Sequence, residues 1–269
     1  MPVTLMIPKT SSRRRYHLDA CAVESETSWE SRPGIATREL FNDRDGYRIV
    51  LMRYAEGGCD PERLHAGDEH VFVLGGSLRD SAGDYGPGSY LLNPAGLRPK
   101  IWSPGGCLTI VHRLSPEISG SGPYGSGGLE TLFEEEKGRA VHGDFEPSLR
   151  RQAHAPEPDT GRDFQVGAGW GELRPGVYIL PLFEGAPGNY KSALLRYLPG
   201  ASVPEHVHLG DEHVYMLEGS QEDETGSYAE GSYVYNPTGT GHRVWSEEGC
   251  LALIHWRAPV TFLQDLGRR

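Results

Sequence analysis

Residues 57–113 align without a gap onto residues 200–256, at a constant offset of 143 and with 27 identities in 57 positions. Gly67-Asp68-Glu69-His70-Val71 repeats as Gly210-Asp211-Glu212-His213-Val214, Asn93-Pro94 as Asn236-Pro237, and Trp102-Ser103 as Trp245-Ser246. The match continues upstream with a one-residue slip, pairing Arg32-Pro33-Gly34 with Arg174-Pro175-Gly176. A period this long is too great for a solenoid and describes a small domain present twice. Each copy spans about 85 residues, which divides the chain into an N-terminal extension (1–28), a first domain (29–114), a linker (115–165) and a second domain (166–262).

Within each copy, short alternating runs such as His213-Val214-Tyr215-Met216-Leu217 lie between Gly, Asn-Pro and acidic turns, with no sustained helical period. The 36 glycines and 20 prolines agree with many short strands joined by turns. Strands at such close spacing predict an all-β sandwich or barrel in each copy. The linker is rich in Gly, Ser and Pro at residues 115–128. Residues 129–136 have a helix-forming composition and predict one short helix.

The chemistry concentrates in the second copy. In Pro204-Glu205-His206-Val207-His208, followed by Glu212, alternate residues of a strand share a face, so two imidazoles and a carboxylate point the same way. His242 follows the turn Asn236-Pro237-Thr238-Gly239, which returns a later strand against the first. Three neutral imidazoles and one carboxylate suit a single divalent ion: Fe(II), Zn, Mn, Ni or Cu. An octahedral ion held by four ligands keeps two positions for a substrate or O₂. The first copy keeps only His65 and Glu69, because Arg63 stands in place of His206 and Pro99 in place of His242. An Arg63–Glu69 salt bridge is the expected substitute for the ion there, with an anion pocket at Arg63 as the alternative.

Gly200-x5-His206-x-His208-x3-Glu212-x6-Gly219 and Gly231-x5-Pro237-x-Gly239-x2-His242 resemble the two motifs of the cupin superfamily. Ser246 stands near the second motif's end in place of its usual Asn. Leu195-Arg196-Tyr197-Leu198-Pro199-Gly200 and Asp223-Glu224-Thr225-Gly226-Ser227-Tyr228 are similar to sequences of the ChrR-like branch. The resemblance covers both copies and implies two tandem jelly-roll (double-stranded β-helix) barrels, a bicupin. That branch contains dioxygenases that cleave C–C bonds in small diketones and hydroxyketones, and zinc-binding sensor domains of anti-sigma factors. The His-x3-Cys-x2-Cys run of the anti-sigma helical domain does not occur here. Three functions follow as expectations: an Fe(II) dioxygenase acting on an enolisable ketone or diketone, a metal-dependent lyase or isomerase, and a metal or small-molecule sensor.

Several other residues are candidates. His255 could serve as an acid/base group, and Tyr233, Trp245 and Arg196 could bind substrate. Alternation turns His70 and His213 away from the metal face, towards a surface or interdomain position. Glu222-Asp223-Glu224 reads as a solvated hairpin tip, and Cys107 and Cys250 as residues of the fold. A net charge of −11 opposes nucleic-acid binding. No run reaches the ~18 apolar residues of a membrane span, and Arg13-Arg14-Arg15 lacks the apolar stretch of an export signal. Four sparse cysteines point to reduced thiols in the cytoplasm. The expected partner is a small-molecule substrate, and a homodimer is left open.

Overall fold

The computed structural model describes residues 16–19, 29–43, 46–60, 65–96, 100–114, 169–184 and 191–263. The predicted helix at 129–136, the linker, Arg13–Arg15, Arg63 and Pro99 lie outside the described residues. The elements among those described are strands, and none is a helix long and apolar enough to cross a membrane. The chain divides into two units, one of Val23–Pro158 and one of Asp159–Arg269 joined by Met1–Ala22. The N-terminal segment therefore groups with the second copy: β1 (Tyr16–Asp19) pairs with the strand Ser232–Asn236.

The first unit runs β2 (Glu30–Arg32), β3 (Ile35–Asn42), β4 (Arg48–Tyr54), β5 (Cys59–Asp60) and β6 (Glu69–Gly76). It continues with β7 (Leu78–Asp80), β8 (Gly83–Tyr85), β9 (Tyr90–Asn93), β10 (Ile101–Trp102) and β11 (Cys107–Arg113). These strands make a six-stranded sheet, β2-β3-β4-β11-β6-β9, and a four-stranded one, β5-β10-β7-β8. Val50, Met52, Val71, Val73 and Val111 of the first sheet pack with Leu78, Tyr85 and Ile101 of the second. Alternation along each strand puts these residues on the inner faces, and burying each contributes about 1.5–3 kcal/mol.

The second unit repeats the plan in β12 (Gly171–Arg174), β13 (Val177–Glu184), β14 (Lys191–Tyr197), β15 (Ser202–His208) and β16 (Glu212–Asp223). It closes with β17 (Gly226–Ala229), β18 (Ser232–Asn236), β19 (Gly241–Trp245), β20 (Cys250–Trp256) and β21 (Val260–Phe262). Its strands form one continuous path, β12-β13-β14-β20-β16-β19-β15-β21, because the twelve-residue β16 crosses from one face of the jelly roll to the other. That strand pairs first with β18 and β20, then with β17 and β19. A register shift between Met216 and Glu218 lets it turn, and Gly219 follows with φ +66°. A side chain at Gly219 would meet the Gly249 carbonyl oxygen, and one at Gly76 the Gly106 carbonyl. Both positions therefore need glycine for φ and for space. Cys107 and Cys250 lie in the two cores, where burial pushes each thiol up to about 12, as suits residues of the fold.

Candidate metal centre

β15 delivers two of the four candidate ligands. Regular alternation from Val203, which is in the core, would point His206 outward. A register shift between Val203 and His206 inserts the extra residue that turns both His206 and His208 inward. His206 then lies directly opposite His242 of β19, with the ring centroids 4.8 Å apart. The His208 ring is 5.2 Å from His206 and 4.9 Å from His242. All three are buried, and one nitrogen from each lies within 4.8 Å of the others. Glu212, at the start of β16, brings Oε2 to 3.1 Å from His208 Nε2.

The outer nitrogens fix which inner nitrogens carry lone pairs. His206 Nδ1 is 2.9 Å from the Pro204 carbonyl, which can only accept, so this nitrogen donates. Thr240 donates its hydroxyl hydrogen to the Pro237 carbonyl and so accepts from His208 Nδ1, at 3.1 Å. His242 Nδ1 donates to Asp223 Oδ2 at 3.2 Å. Each neutral ring is thereby left with an unprotonated Nε2. The Nε2 atoms of His208 and His242 are buried without a hydrogen-bond partner. His208 Nε2 faces the Glu212 oxygen at 3.1 Å, acceptor against acceptor, although the pair looks like a salt bridge by distance alone. A cation between them resolves that arrangement, so the residues present fit a divalent metal ion.

The surroundings hold the carboxylate in place. Asn236 donates to Glu212 Oε2 at 2.7 Å, and the Trp256 indole donates to Oε1 at 2.7 Å. Burial would raise the Glu212 carboxyl, but positive charge where His208, His242 and His206 meet, carried by protons on the rings or by a bound cation, outweighs it and holds the group well below the usual carboxylate range. Burial lowers His206 and keeps it neutral, as a ligand must be.

The remaining candidates face elsewhere. Leu195, Tyr197, Val234, Val244 and Ile254 belong to the barrel core. Arg196, Tyr233, Trp245 and His255 are each one residue out of step with them and lie on the opposite face. Arg196 pairs with Glu218 at 2.8 Å, and Tyr233 hydrogen-bonds His213 Nδ1 at 2.8 Å. Trp245 lies beside the Arg243 guanidinium, and His255 Nδ1 bonds the Ser192 hydroxyl at 2.7 Å. Strand parity thus corrects the sequence expectation that these four serve the metal pocket. His70 and His213 do turn away from it, but they are buried and bonded to Tyr90 and Tyr233 rather than solvated. Asp223 is likewise no solvated tip. It is buried, and its Oδ1 is held by Thr225 and Tyr228 while Oδ2 accepts a hydrogen bond from His242 Nδ1.

Sequence reasoning missed Asp223, Asn236 and Thr240, and the hydrogen bond from Trp256 to Glu212. Asn236 and Trp256 share the parity of interior residues, which was the available signal.

The first unit answers with different chemistry. Glu69 accepts from Asn93 at 3.4 Å, as Glu212 does from Asn236, but Arg113 takes the place of Trp256 and ion-pairs with Glu69 at 2.8 Å. His65 Nδ1 lies 3.7 Å from Glu69. Asp80, the counterpart of Asp223, keeps its Oδ1 bonds to Ala82, Gly83 and Tyr85, while Oδ2 is buried with no partner.

Three solved structures show how widely this fold recurs. A proposed dioxygenase from Nostoc punctiforme superposes with a TM-score of 0.63 at 17% identity, covering 94% of this chain and 84% of that one. The oxalate decarboxylase of Lactobacillus farciminis, solved with formate, gives 0.57 at 16% identity over 96% and 90%. A single-residue variant of the Bacillus subtilis oxalate decarboxylase gives 0.55 at 18% identity over 97% and 82%. At these identities the likeness is one of fold. No curated protein sequence matches the chain. The model of the ChrR Cupin-like domain matches residues 19–115 and again 165–259, so both barrels carry the family's pattern and the chain belongs to the ChrR Cupin-like domain family.

Proposed function

We propose that the second unit is a mononuclear Fe(II) dioxygenase that cleaves a C–C bond in a small enolisable ketone or diketone. The observation that carries this reading is the meeting of three buried imidazoles, one nitrogen from each within 4.8 Å of the others, beside Glu212, whose Oε2 lies 3.1 Å from His208 Nε2. His206, His208 and His242 would hold the ion, with Glu212 as the fourth ligand. Iron(II) held there would supply a chelating centre for an enolate and activate O₂ beside it.

The chain's own residues do the rest. Pro204, Thr240 and Asp223 lock the imidazole tautomers, and Trp256 and Asn236 orient the carboxylate. Met216, Val244 and Ala252 are buried in the barrel core. Phe262, its ring 5.7 Å from that of His206, supplies an apolar wall for the ketone's carbon skeleton. The resemblance to ChrR-like dioxygenases and the likeness to the Nostoc protein support oxygen chemistry. Cys59, Cys107 and Cys250 are free, which suits a reducing compartment such as the cytoplasm.

The test is oxygen uptake by iron-loaded protein across a panel of diketones, hydroxyketones and oxo acids. Uptake that needs Fe(II) and one of these substrates is expected. Turnover that continues unchanged without oxygen would make the protein a lyase or isomerase, and metal binding without any turnover would make it a sensor.

A further inference from the structure

Among the described residues, Arg174 is a cation without an anion. It lies at the end of β12, opposite Val177 of the core, and its guanidinium carbon is 4.1 Å from the centroid of the Phe262 ring. Phe262 lies on β21 directly opposite His206, its ring 5.7 Å from the imidazole. β12 and β21 are the two ends of the strand path, so this stack joins the first and last strands beside the metal ligands. Both residues are partly exposed. Arg174 Nε is buried with no hydrogen-bond partner, and no carboxylate among the described residues pairs with the guanidinium. A buried donor left unmatched in a folded protein calls for an acceptor, and the described residues do not supply one.

The duplicated unit shows what this arginine does when it is structural. Its counterpart Arg32 donates to Asp60 Oδ1 at 2.7 Å. The residue matching Asp60 in the second unit is Val203, which is buried in the core. The carboxylate has been lost in the barrel that assembles the metal ligands and kept in the barrel that does not. Phe262 covers one face of the Arg174 guanidinium, which leaves the edge donors to pair with a carboxylate in two parallel hydrogen bonds.

We infer that Arg174 recognises a carboxylate on the molecule that chelates the metal centre, an inference that rests on the reading under Proposed function. The substrate class narrows accordingly from neutral ketones to small oxo-carboxylates, with the enolisable oxo group at the metal and the carboxylate at Arg174.

A matched pair of probes tests this: 2,4-dioxopentanoate and 2,4-pentanedione share one chelating dioxo group and differ by the carboxylate. Full-length protein loaded with Co(II) is titrated with each, and the visible bands of the metal report binding. The wild type should bind the dioxopentanoate at least about tenfold more tightly than the pentanedione. Arg174→Gln should remove that advantage while changing pentanedione affinity by less than about twofold and leaving metal content intact. Arg174→Lys should restore part of the advantage, and Arg32→Gln should leave it unchanged. An Arg174→Gln protein that keeps the preference, or that loses affinity for both probes equally, overturns the assignment to Arg174 alone. Binding of neither probe to the Co(II)-loaded wild type removes the chelating-substrate reading and this inference with it.

Discussion

The two barrels answer the same problem, a buried glutamate inside a β-barrel, in opposite ways. In the first, Glu69 is neutralised by the built-in guanidinium of Arg113. In the second, position 256 is a tryptophan that donates a hydrogen bond but brings no charge, and three buried imidazoles meet beside the carboxylate instead. One barrel carries its cation covalently, and the other is shaped to take a cation from solution. The supporting glutamate–asparagine pair and the Oδ1 bonds of the aspartate at the end of the turn persist in both. What separates them is a handful of side chains on one scaffold, which is how function parts from fold.

If that contrast is right, metal content is one ion per chain, and the largest effect comes from the ligands. His206→Ala, His208→Ala or His242→Ala should each empty the protein of metal, whereas His65→Ala should leave content unchanged. Elemental analysis of purified variants checks this, and two ions per chain would end the distinction between the barrels. The next effect is on stability. Arg113→Met takes a guanidinium away from the buried Glu69 carboxylate and should cost the first unit about 3 kcal/mol, since breaking a buried ion pair is strongly destabilising. Its thermal midpoint should fall by at least about 10 °C. The matching change Trp256→Phe removes a neutral donor and should cost only about 1 kcal/mol. Equal losses in calorimetry would show that Arg113 is no counter-ion.

A smaller difference is expected at the paired aspartates. Asp223→Asn weakens the acceptor that orients His242, and metal affinity should drop by about tenfold or more. Among the described residues Asp80 has no histidine to orient, and its Oδ2 has no partner. Asp80→Asn should therefore leave metal affinity untouched and melting temperature level or higher. Competition with a chromophoric chelator separates the two outcomes, and a shared loss of affinity would mean that Asp223 acts through the fold rather than through His242.

Much of this comparison could be read from the sequence, and its limits have physical causes. The duplication and the spacing of His206, His208, Glu212 and His242 follow from chain order alone, because a repeat preserves register. Arg113 and Trp256 occupy matching positions at the ends of their repeats, yet nothing local marks either as a partner of a glutamate 44 residues away. Asp223 was hidden by Glu222 and Glu224, since an acidic run looks solvated whichever member turns inward. The bulge before His206 breaks simple alternation within β15. Where alternation does hold, it would have removed Arg196, Tyr233, Trp245 and His255 from the pocket. Their side-chain chemistry suggested a role that their strand parity denies.

The last comparison uses acid to set buried histidine in the fold against histidine at the metal. His70 is fully buried on β6, opposite His112 of β11 and hydrogen-bonded to Tyr90, with the Glu69 carboxylate and the Arg113 guanidinium as the charged groups nearest in sequence and register. Burial lowers it to about 3, with Glu69 only partly opposing the shift. The unfolded chain, with an ordinary imidazole near 6.5, binds the proton more readily than the folded one between these values. The stability that neutral His70 contributes is therefore present above about pH 6.5 and lost as pH falls towards 3, by at most about 1.4 kcal/mol per pH unit. His70→Gln removes the titrating group, so the first unit's melting temperature should fall less steeply over that window. Metal release by the second unit should keep its own pH dependence in this variant, because its ligands must shed protons to bind. A His70→Gln protein whose acid sensitivity matches the wild type would place the titration on other groups.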